Sequence, residues 1–264
     1  MSGSDNAALT YTSYLALDEV LGAQRPRSTE HDEMLFIVIH QVYELWFKQL
    51  LHELTHLRER LAAGDSAHSL HTLKRVLTIL KVAVNQIDVL ETMTPRQFAG
   101  FRGRLEASSG FQSVQFRQLE VVLGRRDPLA YAHYAEGGEH RARILAECRL
   151  PSVYDAFVAY LAAHGYPVPG SALDRDVTVP AKPDPELQQV LLKAYQDDGE
   201  PAQIAERLVD LDEGIQEWRY RHVKMVERTI GDKSGTGGSS GAAYLRSTLG
   251  SAMFPDLWAV RSQL

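Results

Sequence analysis

A single cysteine, Cys148, stands among the 264 residues, so no disulfide can form within the chain. A reducing compartment, the cytoplasm, is the expectation that follows, with the thiol serving as a small core side chain. Positive charge is not in excess either. Lys and Arg number 28 against 34 Asp and Glu, a formal net charge of -6, whereas a nucleic-acid partner calls for a basic stripe that neutralises phosphates. Long apolar runs are missing: Met34 to Ile39 falls far short of the roughly 20 residues that cross a bilayer. Met1 to Asn6 shows no basic region followed by an apolar stretch, so neither a leader nor a membrane anchor is expected. Almost nowhere do four residues alternate apolar and polar with β-branched enrichment, which argues against sheet. Small-molecule or protein partners are what these absences leave.

What is present is helical periodicity. With 44% hydrophobic and 23% charged residues the composition is that of an ordinary globular protein. From His31 to Leu61 apolar residues recur through Leu35, Val38, Val42, Leu45, Leu50, Leu54 and Leu57, with no proline or glycine before Gly64. The spacing predicts one long, mostly buried helix. Ser69 to Leu90 repeats the pattern and is expected to pack antiparallel to the first. Thr94-Pro95 restarts the chain with proline at a helix N1 position. Shorter helices are expected at Phe111 to Leu123, Leu129 to Tyr134, Glu139 to Cys148 and Ser152 to Ala163, and a last long one at Pro201 to Ile230. Gly165 to Pro185, with five prolines, reads as a connecting loop. The fold class is therefore all-α, a single-domain bundle built on two or three long helices, with no internal repeat and no domain boundary.

Three features bear on chemistry. The stripe Leu208, Leu211, Ile215, Trp218, His222 puts an imidazole on the buried face of the last long helix; a core histidine held by one hydrogen bond and a ligand are both open readings. Phe36, His40, Glu44 and Phe47 share a face of the first long helix, as packing or as the lining of an apolar pocket with one polar handle. Gly231 to Gly241 is glycine-rich without the ending of a phosphate-binding loop; it is either a linker or a lid beside a pocket, since a short helix, Ala242 to Leu249, follows. A competing pattern, His52-Glu53-Leu54-Thr55-His56, has the spacing of a zinc metallopeptidase. Its extension fails, with Glu59 and Ala62 where glycine and a third histidine are needed, so a solvated helix face is preferred.

The segment from His31 to Lys48, HDEMLFIVIHQVYELWFK, resembles the signature of the tryptophan 2,3-dioxygenase family, and three further blocks agree in order. They are Tyr11 to Leu15 with Leu17-Asp18, Ser109 to Arg117, and Trp218 to His222 followed by Gly235 to Gly241. The resemblance implies that the bundle encloses haem b, ferrous in the active state, with His222 as the proximal ligand. It implies that Phe36 packs on the indole, that neutral His40 accepts from the indole N–H, that Arg117 binds the carboxylate and that Thr236 holds the ammonium. Residues 1–30 become an arm that lays Tyr11 and Tyr14 against a neighbouring subunit of a homotetramer. Ile39 departs from the pattern, standing where a polar residue is expected.

The reaction so implied takes L-tryptophan and dioxygen to N-formylkynurenine, the entry to tryptophan catabolism through kynurenine. A related haem monooxygenase of tryptophan or methyl-tryptophan, giving an oxindole-type product, is the alternative within the fold. A non-catalytic haem sensor is a third class, disfavoured because Arg117, Thr236 and His40 together make an amino-acid site.

Overall fold

The computed structural model describes residues 8–106, 108–236 and 241–264, and no strand occurs among them. Helices are numbered along the chain. Short α1 (Tyr11–Leu15) and α2 (Leu17–Leu21) form an N-terminal arm. Three long helices make the frame: α3 (Asp32–Ala62), α4 (Ser66–Leu90) and, much later, α11 (Glu200–Ile230). Between them lie α5 (Pro95–Arg102), α6 (Val114–Leu123), α7 (Glu139–Cys148), α8 (Val153–Ala163), α9 (Gly170–Leu173) and α10 (Pro185–Asp197), and after them α12 (Ala242–Ser247) and α13 (Pro255–Ala259).

Local chemistry sets the ends of these helices. Gly64, at φ 71°, closes α3. The Gly64 N–H donates to Leu61 O, and the Asp65 N–H to Arg60 O, both at 2.9 Å, which satisfies the last carbonyls in the Schellman pattern. Asp65 then caps α4 by accepting from the His68 N–H at 3.1 Å. This is why α4 begins at Ser66, before the expected Ser69: the cap, not the first apolar residue, nucleates the turn. Thr94 and Gln97 form a capping box ahead of Pro95, as the proline predicted. Ser113 caps α6 through the Phe116 N–H, so the expected Phe111 to Leu123 helix is broken at Ser113 into a 3₁₀ turn, Gly110–Gln112, and α6.

The expected antiparallel pairing of the first two long helices is observed. Tyr43 Oη donates to Ala83 O at 2.8 Å and Gln86 Nε2 to Ile39 O at 3.2 Å, so rising number on α3 meets falling number on α4. Helices α4 and α11 run parallel, with Leu80 against Gly214 and Glu91 paired to Arg228. Helix α8 is apolar nearly all round and packs on α3 within the main core. Sequence periodicity passed over α10 and α13, and the proline-rich connection holds the one-turn α9.

Two buried carboxylates fasten the C-terminal segment to this frame. Asp212, on α11, accepts from the backbone N–H of Met253 (2.8 Å) and Phe254 (3.0 Å) and from Trp258 Nε1 (2.9 Å). Asp256 accepts from the Asp184 N–H, Gln188 Nε2 and Tyr154 Oη, at 2.8 to 2.9 Å. Cys148 is buried as expected. Among the described residues no helix is long and apolar enough to cross a membrane.

Candidate active site

One cavity opens between α3, α6, α11 and the segment entering α12, and Phe36, His40, Arg117, His222 and Thr236 all line it. These five residues come from four separate parts of the chain. Tyr11 and Tyr14 are not among them. They sit on the arm, 75% and 72% exposed, and do not line this cavity.

His222 stacks on Trp218, ring centroids 5.0 Å apart and planes at 22°. Burial, then the positive fields of His40 and Arg117, push its pKa down to about 4, so the imidazole is neutral at pH 7. None of its ring nitrogens is hydrogen-bonded among the described residues, and the ring borders the cavity. A neutral imidazole with an unused lone pair in an apolar wall has the chemistry of a ligand to a soft or borderline metal.

On α3, which also lines the cavity, His40 Nδ1 lies 2.7 Å from the Phe36 carbonyl, and the two rings are 4.1 Å apart. Burial lowers its pKa, only partly offset by that carbonyl and by the charge of Glu44. Arg117 is buried, with Nη1 donating to Glu120 Oε2 at 2.5 Å and Nε without a partner. Thr236 Oγ1 donates to Ser108 O at 3.0 Å, which leaves the hydroxyl lone pairs free to accept. Arg102 Nη2 donates to Ser234 O at 2.5 Å and ties the same segment to α5. The lid reading of Gly231 to Gly241 falls in part on residues 237–240, which, like Met1 to Asn6, lie outside the described residues.

Several cavity residues escaped the sequence reading, Glu120 and Arg219 among them. Their signal was present as spacing: Glu120 is i+3 from Arg117, and Arg219 is i−3 from His222 on the same buried face. The peptidase-like pattern lies outside the cavity. His52 and His56 are exposed, while Glu53 is buried, a correction to the solvated face expected for it. Both Glu53 oxygens accept from Arg75 Nη1 at 3.1 Å, so this carboxylate is committed to an ion pair and not poised as a base.

A family model described as tryptophan 2,3-dioxygenase matches residues 2–147 and 189–264. The stretch between the two matched parts contains α8 and α9, which complete the core without touching the cavity. A protein of Anaeromyxobacter sp. (strain K) named tryptophan 2,3-dioxygenase is 63% identical over 259 residues, 98% of this chain and 97% of that one. One of the same name from Anaeromyxobacter dehalogenans is 64% identical over 262 residues, with 98% and 97% covered. Another from Caulobacter vibrioides is 46% identical over 259 residues, 97% of this chain and 98% of its own. With the match running through every helix that lines the cavity, the chain belongs to the tryptophan 2,3-dioxygenase family.

Proposed function

We propose that this protein is a haem-dependent dioxygenase that opens the indole C2–C3 bond of L-tryptophan to give N-formylkynurenine. The observation that carries the reading is the convergence, on one largely apolar cavity, of a neutral imidazole with no hydrogen bond among the described residues, His222, a hydrogen-bonded imidazole, His40, and a guanidinium, Arg117. The fit to haem rests on His222: its imidazole, stacked on Trp218, lining the cavity and making no hydrogen bond among the described residues, would hold the iron. When bound, ferrous haem b supplies the activation of dioxygen, chemistry beyond any side chain present.

The chain's own residues bind, orient and exclude water. A carbonyl only accepts, so the proton of neutral His40 resides on Nδ1 and Nε2 carries the lone pair. Nε2 takes the indole N–H and thereby fixes which edge of the ring faces the reactive oxygen, while the Phe36 ring packs on the indole face. Arg117 takes the carboxylate as a fork, and the Thr236 hydroxyl accepts from the ammonium. Held at both ends, the substrate reacts from one orientation, which replaces the entropy of encounter by binding energy.

The 264 residues act as one domain and assemble as a homotetramer in the cytoplasm. Support for assembly comes from the arm, where Leu9, Tyr11, Tyr14 and Leu21 expose apolar surface among the described residues. In this assembly Tyr11 and Tyr14 would complete the cavity of a neighbour. The reaction adds both atoms of dioxygen and consumes no reductant, so ferrous enzyme with L-tryptophan and ¹⁸O₂ is expected to give N-formylkynurenine with two labels. A singly labelled oxindole-type product, with reductant used in proportion, overturns the reading.

A further inference from the structure

Helix α12 forms part of the cavity wall through Tyr244 and Leu245, with Thr248 just past its end, and the helix is held at two points by contacts of different kinds. At the C-terminal end the hold is buried. Arg219, on α11, donates from Nη1 to Thr248 O at 3.4 Å and to Ser251 O at 3.2 Å, and Gly250, in the left-handed region at φ 74°, lies between them. The other hold is ionic and open to solvent. Arg246 Nη1 donates to Glu227 Oε1 at 2.9 Å, and Nη2 lies 3.6 Å from Asp232 Oδ1. Glu227 stands in the last turn of α11 and Asp232 two residues beyond it, so one guanidinium on α12 spans the point at which α11 ends. Lys224 Nζ donates to Glu227 Oε2 at 2.9 Å, which gives each oxygen of that carboxylate its own cation.

None of Lys224, Glu227, Asp232 and Arg246 lines the cavity, and with the Arg246 side chain 49% exposed these pairs add little to the stability of the fold. Weakness of that order suits a contact that breaks and re-forms while the rest of the bundle stays folded. Tyr244 completes the wall by meeting Phe111 edge to face, ring centroids 5.0 Å apart, so a swing of α12 about Thr248 parts that pair and opens the cavity beside Phe111. We propose that Arg246, Glu227 and Asp232 form a salt-sensitive latch that holds α12 against the cavity and sets how often this wall opens to pass ligand. The buried Arg219–Thr248 end is the hinge, and the exposed Arg246 contact is the catch. Because the catch touches no ligand, it holds alike whether the cavity is filled or empty, and it governs the rates of entry and exit but not affinity. This inference rests on the reading of the cavity as the site that takes L-tryptophan.

Two measurements on the holoenzyme separate the latch from that reading. Without ligand, hydrogen exchange at the Leu245 amide, which donates to Gly241 O, is expected to quicken about threefold in Glu227→Gln and in Arg246→Gln, and no further in the double variant. The Thr248 amide, at the hinge, is expected to keep its rate. In 1 M NaCl, where the Debye length is about 3 Å, the unaltered protein is expected to approach the variants while the double variant does not move. Unchanged exchange at Leu245, additive effects, or equal quickening at Thr248, the mark of unfolding of the whole segment, overturns the latch. In stopped-flow mixing of the ferrous, oxygen-free holoenzyme with L-tryptophan, each single variant is expected to bind and release about threefold faster at unchanged Kd. Faster exchange without faster binding and release, or a changed Kd at an unchanged association rate, overturns control of passage by α12. Failure of L-tryptophan to bind the unaltered protein refutes the proposed function instead, and the exchange measurement still decides the latch.

Discussion

His40 and Phe36 are joined across one turn of α3, the imidazole Nδ1 donating to the Phe36 carbonyl at 2.7 Å while the two rings lie 4.1 Å apart. The bond fixes the tautomer and therefore the job: Nε2 is an acceptor that orients the indole. His40→Ala is expected to lower kcat/KM by about tenfold, short of the 10²- to 10⁴-fold that marks loss of a general base. Because burial lowers the His40 pKa below its ordinary 6.5, the acceptor persists as pH falls to that value, and kcat/KM is expected to stay flat from about pH 8 to 6.5. A thousandfold loss in steady-state rate with unchanged substrate affinity would instead assign proton abstraction to this residue.

His222 has a different expected signature. His222→Ala is expected to abolish stoichiometric haem, read as loss of the Soret band, while far-UV circular dichroism stays helical, because the side chain faces the cavity and makes no hydrogen bond that holds the fold. Full haem retention with an unchanged spectrum would refute axial ligation.

Glu33 pins the strap that carries the N-terminal arm. Its buried carboxylate accepts from the backbone N–H groups of Arg27 and Ser28, both at 2.7 Å, and from Ser28 Oγ at 2.5 Å. Burial would raise its pKa, but these bonds and the charge of Arg104 prevail and leave it below the ordinary 4.5. A depressed native pKa means that the anchor contributes in full above about 4.5 and is lost as pH falls through the native value. Glu33→Gln is expected to speed hydrogen exchange at the Arg27 and Ser28 amides by about tenfold at neutral pH. In the unaltered protein the same exposure should appear only in acid; protection unchanged by the substitution would show that the strap is held elsewhere.

Asp212 is a buried carboxylate satisfied by N–H donors, two of them backbone groups some forty residues later in the chain. Asp212→Asn turns an acceptor toward these donors as an amide and is expected to cost about 3 kcal/mol. That corresponds to a fall in Tm of roughly 6–12 °C for a domain of this size. A shift under about 3 °C in thermal unfolding would show that the C-terminal segment is held chiefly by Phe254 and Leu257 in the core.

Much of the frame was legible because long helices announce themselves. The apolar periods of α3 and α11 put His40 and His222 on the faces they occupy, and Thr94-Pro95 marked the start of α5. Helix α10 carried a legible pattern in Leu187, Val190, Leu191 and Ala194 behind an Asp184 cap, yet the loop read up to Pro185 left the residues after it unassigned. Glu53 was misplaced because its neighbours are exposed: a partner 22 positions away, Arg75, decides its burial, and no local pattern carries that fact.

By itself, then, the sequence determined the class of fold, the family, and the helix faces on which Phe36, His40 and His222 stand, since each follows from periodicity within a helix or from ordered blocks of residues. Only the tertiary structure decided that these residues meet Arg117 and Thr236 in one cavity and that Glu120 is shared by guanidiniums from α6, the turn after it and α11. The reason is physical. A helix fixes neighbours three and four residues apart, whereas the Glu120–Arg219 contact joins positions 99 apart on two helices, α6 and α11, and its geometry is set by how the bundle packs.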